Sequence, residues 1–253
     1  MIDSHAHLDS CEGAVEDILS AAREAGVEQI VTIGCGRESS EQAVALAEAH
    51  PEVFATVGVH PNQAADYDPA DIIWIRDLAA HPKVVAIGEC GLDYYRDRAT
   101  PAQQMGAFDA QIAIASDLGM PLVIHTREAT DDTLARLADA PASLKILLHC
   151  FSIPERAEEV AARGYWASFA GPITYPKNAD LRAAAAMFPA ERILVETDAP
   201  YLAPQPKRGK PNQPAYVAHT LAGLAEARGV SVSEMDALTT ANTRHLFGIP
   251  PLD

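Results

Sequence analysis

Short apolar, β-branched runs alternate with longer stretches of helical spacing along the chain. Runs over residues 2–5, 29–34, 53–58, 84–89, 121–125, 145–149, 165–169 and 193–197 predict eight strands. Ala/Glu/Leu-rich segments at 14–25, 41–49, 69–80, 103–118, 130–138, 154–163 and 181–188 predict the helices between them. Gly26, Gly119 and Gly164 each follow a helical run, where a left-handed residue closes the last turn, and Pro69 suits a first turn. Strands separated by helices need crossover connections and therefore pair in parallel. Eight such units close a (β/α)8 TIM barrel, and a doubly wound open sheet is the alternative. No linker or shift in composition divides the chain, so one domain over residues 1–253 is expected.

The polar positions are not scattered. Apolar runs end in groups that titrate or bind metals: His5 and His7 in the first, His60 after the third, Glu89 in the fourth. The fifth, sixth and eighth end in His125, His149 and Asp198. Side chains two apart on a strand share a face, so His5 and His7 project together. In a closed barrel the C-terminal strand ends converge on one face. One histidine at a strand end is ordinarily a satisfied hydrogen-bonding residue, but several strands supplying His or carboxylate at the same end predict a metal site. The predicted ligands are His5, His7, Glu89, His125, His149 and Asp198, more than one four-coordinate ion needs. Two divalent ions about 3.5–4 Å apart, bridged by Glu89, would use them all. Such a donor set suits magnesium, manganese, zinc or iron without ranking them.

Composition narrows the partners. With 35 acidic against 19 basic residues the net charge is −16, which argues against sequence-independent clamping of a duplex through many phosphate contacts. The chain has no run of eighteen apolar residues, so no membrane span is expected. Its start has no basic region followed by an apolar one, so no secretory signal is expected. Four cysteines without CxxC spacing fit reduced thiols in a cytoplasmic protein. No obligate protein partner is indicated.

Taken together, Asp3-Ser-His-Ala-His7, Gly58-Val-His-Pro61, Gly88-Glu-Cys-Gly-Leu-Asp-Tyr-Tyr95 and Pro121-Leu-Val-Ile-His-Thr-Arg-Glu128 resemble the TatD-type metal-dependent deoxyribonucleases of the amidohydrolase-like superfamily. So do His149-Cys-Phe-Ser152, Glu196-Thr-Asp-Ala-Pro-Tyr-Leu-Ala-Pro204, Arg208-Gly-Lys-Pro-Asn212 and Asn242-Thr243, in the same order across the whole chain. Gln213 stands where many relatives have Glu. The resemblance implies that His5, His7, Glu89 and Asp198 hold one ion and Glu89, His125 and His149 the other. It implies phosphodiester hydrolysis, removing nucleotides from a 3′ end of single-stranded or frayed DNA, often with magnesium, and a place in DNA repair.

Asp198 and Glu89 are then the catalytic carboxylates. Asp198 would orient a water, whose pKa metal coordination lowers, and accept its proton. Glu196, two residues before Asp198, would orient a histidine or a water, or pair with a basic residue in the barrel interior. Arg127 offers a planar fork for phosphate, or pairs with Asp93 or Glu128. His60 is a phosphate contact or a structural hydrogen bond. Lys207, Arg208 and Lys210 form a basic stretch in an acidic chain and are assigned to guiding phosphates. Tyr94, Tyr95, Phe151 and Tyr201 could stack bases, and Phe151 and Tyr201 could equally be core. A small-molecule hydrolase of lactones, cyclic amides or phosphoesters on the same barrel is the second reading. It sits more easily with the charge of −16, although many such sites bridge their metals with a lysine where this chain has Glu89.

Overall fold

The computed structural model describes residues 1–252. Its eight strands are β1 (Ile2–Ala6), β2 (Gln29–Ile33), β3 (Val53–Val57), β4 (Val84–Asp93), β5 (Leu122–Arg127), β6 (Ile146–Leu148), β7 (Trp166–Phe169) and β8 (Ile193–Val195). They lie in one sheet in chain order, and Ala6 is bridged in parallel to Ala199, just past β8, so the last strand returns to the first. The fold is the (β/α)8 barrel that the alternation predicts. Every residue of β1, β2, β3 and β4 is buried, which is why β2, β3 and the start of β4 are largely apolar, while β1 buries Asp3, Ser4 and His5.

Seven helices connect the strands: α1 (Val15–Glu24), α2 (Arg37–Ala49), α3 (Ile72–Ala79), α4 (Pro101–Leu118), α5 (Thr130–Ala138), α6 (Ala157–Ala162) and α7 (Ala179–Met187). Two more, α8 (Val217–Arg228) and α9 (Val232–Phe247), follow β8 and lie outside the helices read from the sequence. Gly26, Gly119 and Gly164 do take positive φ at 84°, 65° and 77°. The long helix α4 begins two residues earlier than its apolar spacing suggests. Thr100 accepts from Gln103 N–H while the Gln103 side chain accepts from Thr100 N–H, with Pro101 in the first turn.

By internal contacts the chain forms two compact units. One comprises Met1–Thr32 with the residues from His149 on, and the other Ile33–Leu148. In the first, β1 and β8 are joined by side chains as well as backbone. The Ser4 hydroxyl donates to the Val195 carbonyl, and the buried Asp3 carboxylate accepts from both the N–H and the hydroxyl of Thr197. Phe151 is core, packed against Phe169 and Phe188.

In the second unit, β4 runs four residues beyond its expected end at Glu89. Its pairing with β5 goes from Ile87–Leu122 to Cys90–Ile124, three residues against two, so Glu89 lies in a bulge. Glycines make this path accessible. Gly91 has φ +129°, and a Cβ there would run into the His125 carbonyl oxygen; at Gly88 (φ +130°) it would lie 2.5 Å from that of Val123. A like shift between Asp3 and Ala6, opposite Ile30 and Thr32, puts His5 in a bulge of β1.

Candidate metal-dependent active site

In the first unit, β1 and β8 deliver His5, His7 and Asp198 to one place. Asp198 N–H donates to the His5 carbonyl at 2.9 Å, and His7 N–H to the Ala199 carbonyl at 2.8 Å. Those bonds set the Asp198 Oδ1 3.4 Å from His7 Nε2 and 3.7 Å from His5 Nε2. Asp198 takes a left-handed backbone, φ 55°, a region Asp tolerates better than most residues. Burial raises its pKa, but the hydrogen bond from His7 and the fields of His149, His5 and His7 outweigh this, and the carboxyl stays below its ordinary value.

His149 follows β6 directly, and its ring stacks on His5 with centroids 3.9 Å apart and planes 7° from parallel. Its Nδ1 lies 3.3 Å from Glu196 Oε1, which also accepts from Cys150 N–H at 2.8 Å. The other Glu196 oxygen accepts from the Ser168 hydroxyl. Glu196 is fully buried, and no lysine or arginine pairs with it among the described residues. Beneath the histidines, burial pushes the Asp3 carboxyl up to about 8 despite the two hydrogen bonds from Thr197.

In the second unit, the bulge aims Glu89 at two histidines. Its Oε1 lies 2.7 Å from His125 Nδ1 and 3.4 Å from His60 Nε2. The His60 ring is set by its own Nδ1, which accepts from Asn62 N–H, and it meets His125 edge-on with centroids 4.5 Å apart. On the far side of the imidazole, His125 Nε2 is 3.4 Å from Asp93 Oδ2, which also accepts from the Asn62 amide. From the sequence, Asp93 stands only as a partner for Arg127, not for His125. Its position became visible only with the extension of β4, although Asp93 stands in the same motif as Glu89.

One ligand atom each from His5, His149 and Glu196 lies within 4.8 Å of the others, and the same holds for His60, Glu89 and His125. Imidazole nitrogens with carboxylate oxygens are the donor chemistry that zinc, manganese and iron take, so these residues fit divalent ions. His60 and Glu196 thereby lie within reach of the predicted ligands.

The residues expected to contact substrate are differently placed. Lys207 lies over the Tyr216 ring at 5.0 Å and Arg208 over Tyr175 at 4.3 Å, while Lys210 is exposed. Their loop is pinned to the Asp198 turn by Asn212, whose amide donates to the Thr197 and Tyr201 carbonyls at 2.8 and 2.7 Å. Tyr201 is exposed and meets His7 edge-on, and the Tyr94 hydroxyl donates to Asp132 at 2.7 Å. Arg127 pairs with neither Asp93 nor Glu128 but lies over the Tyr95 ring.

Barrels that gather histidine and carboxylate donors at their C-terminal strand ends are built for metal-assisted hydrolysis, and comparison with known proteins places this chain among such enzymes. It belongs to the TatD related DNase family, which matches residues 2–248. A 3′-5′ ssDNA/RNA exonuclease TatD of Klebsiella pneumoniae is 40% identical over 92% of this chain and 92% of its own. The metal-dependent hydrolase YabD of Bacillus subtilis is 36% identical over 98% of this chain and 99% of its own. Among solved structures, the TatD homologue YjjV of Escherichia coli K12 superposes with a TM-score of 0.92 at 31% identity, covering 99% and 98% of the two chains. The protein is thus a metal-dependent hydrolase of the TatD family, an enzyme acting on ester bonds. No helix among the described residues is long and apolar enough to cross a membrane.

Proposed function

We propose that the protein is a 3′–5′ exonuclease on single-stranded DNA or frayed DNA ends, working in the cytoplasm with two divalent ions and acting as one catalytic domain. His5, His7, His149 and Asp198 would be the metal ligands of the first unit, and Glu89 and His125 those of the second. The reading rests above all on paired histidine–carboxylate clusters in a chain 40% identical to an ssDNA/RNA exonuclease. Bound there, the ions would supply Lewis acidity toward a phosphoryl oxygen and lower the pKa of a water.

The chain's own groups do the rest. Asp198, held ionised, is the proton acceptor for the attacking water. Glu196 fixes the His149 ring, as Asp93 fixes that of His125. The loop of Lys207, Arg208 and Lys210 supplies positive charge to the incoming strand, against the acidic balance of the rest of the chain.

The test is a time course on end-labelled single- and double-stranded DNA and RNA, with magnesium, manganese or zinc returned to stripped protein. Metal-dependent loss of 3′ nucleotides from single strands supports the reading. Hydrolysis of lactones or amides with polynucleotides left intact would replace it with a small-molecule hydrolase.

A further inference from the structure

We infer that Arg127 and Tyr95 form a stacked phosphate clamp that grips the polynucleotide beside the histidine–carboxylate cluster of Glu89. The inference rests on the nuclease reading and names a part of the site that reading leaves open.

The guanidinium of Arg127 lies 3.7 Å from the Tyr95 ring centroid, and both side chains are exposed, Tyr95 to 54%. Several other arginines of the chain pair with carboxylates, Arg76 with Asp117, Arg136 with Asp109, Arg156 and Arg163 with Glu159 and Arg244 with Glu28, and Arg182, Arg192 and Arg228 donate to backbone carbonyls. Arg127 has no ion pair and no side-chain hydrogen bond among the described residues. Stacking leaves the in-plane N–H groups of a guanidinium open, the geometry that takes a phosphate by two parallel hydrogen bonds.

Both partners are tied to the cluster. Arg127 is registered opposite Asp93 in the β4–β5 pairing, and its carbonyl accepts from Tyr94 N–H at 2.9 Å. Asp93 Oδ1 accepts from the N–H groups of Tyr95 and Arg96, both at 3.0 Å, while its Oδ2 faces His125. One carboxylate therefore sets the platform and the candidate ligand together. Two residues apart on β5, His125 and Arg127 also share a face. A divalent cluster acts on one phosphate, and a fixed cationic fork at this distance along the strand would take a neighbouring phosphate of the same polymer. Tyr95 is the positioning residue that keeps the fork oriented.

The test measures binding of a phosphorothioate-linked, fluorescent oligothymidylate by anisotropy, alongside cleavage of its ordinary counterpart, on the protein as purified. Arg127→Ala should weaken binding about ten- to a hundredfold, the scale of one net charge-assisted hydrogen bond at an exposed site. It should also flatten the log–log salt dependence by about 0.7. Arg127→Lys, lacking the fork, should lose a large part of this, and Tyr95→Phe should bind better than Tyr95→Leu. The loss in kcat/KM should be at least about tenfold greater on the oligonucleotide than on bis(p-nitrophenyl) phosphate. Wild-type binding by Arg127→Ala, or equal losses on both substrates, would overturn the clamp while leaving the nuclease reading intact. A wild-type protein that cleaves the small diester but neither binds nor degrades the oligonucleotide would overturn both.

Discussion

Asp3 on β1 holds Thr197 after β8 by two hydrogen bonds, 2.9 Å from the N–H and 2.6 Å from the hydroxyl, with every group buried. His5 lies two residues after Asp3 and Asp198 one residue after Thr197, so this pair sets the spacing of two proposed ligands. Asp3→Ala leaves the Thr197 groups buried and unmatched, at a cost of about 1–3 kcal/mol. Urea denaturation should show that loss, and metal analysis of the folded fraction should show a lower content than wild type.

Gly91→Ala tests the bulge that aims Glu89. A Cβ at φ +129° meets the His125 carbonyl oxygen, so backbone strain and a steric clash fall on the strand pair that carries both residues. The expected loss is about 3 kcal/mol, read from thermal or denaturant unfolding. Unchanged stability would mean that β4 does not follow this path.

Much of the candidate site is legible because buried parallel strands are largely apolar, so a histidine or carboxylate that closes an apolar run stands out. His125, His149 and Asp198 are visible for that reason, and His5 by its two-residue spacing from His7. What escaped was set by backbone geometry and by contacts between strands. The bulge at Glu89 depends on Gly88 and Gly91, whose positive φ does not show in hydrophobic periodicity, and without it Asp93 read as lying beyond the strand. Phe151 sits beside a site histidine in sequence, yet its ring turns into the core against Phe169 and Phe188. Helices α8 and α9 carry apolar residues without a narrow stripe. The Ser231–Glu234 capping box at the start of α9 was the signal available for it.

Thr100 caps α4, which starts two residues before its apolar spacing predicts. Its hydroxyl accepts from Gln103 N–H at 3.3 Å, and Thr100→Ala should cost about 1 kcal/mol. Chemical denaturation should show a lower midpoint with the slope unchanged.

Asp93 makes acid stability a reporter of the second cluster. Burial raises its pKa, but His125, the Arg96 N–H and Asn62 more than reverse this, and the carboxyl sits well below the ordinary range. A depressed folded-state pKa contributes stability that is complete above the unfolded value near about 4 and is lost as pH falls through the folded value. Asp93→Asn should therefore be less stable than wild type at neutral pH, with the gap closing below about pH 4. Denaturation of metal-stripped protein at stepped pH checks this, and a gap constant down to the lowest pH would contradict it.

His125 and Asp198 are proposed metal ligands of a hydrolytic site. The direct measurement is metal content by mass spectrometry on wild type, His125→Ala and Asp198→Ala, together with 3′-end degradation of labelled single-stranded DNA after stripping and magnesium return. Wild type should hold divalent metal and regain degradation. Each folded variant should show reduced metal and activity lower by about a hundredfold or more. Wild-type metal content and nuclease rates in either variant would contradict this assignment.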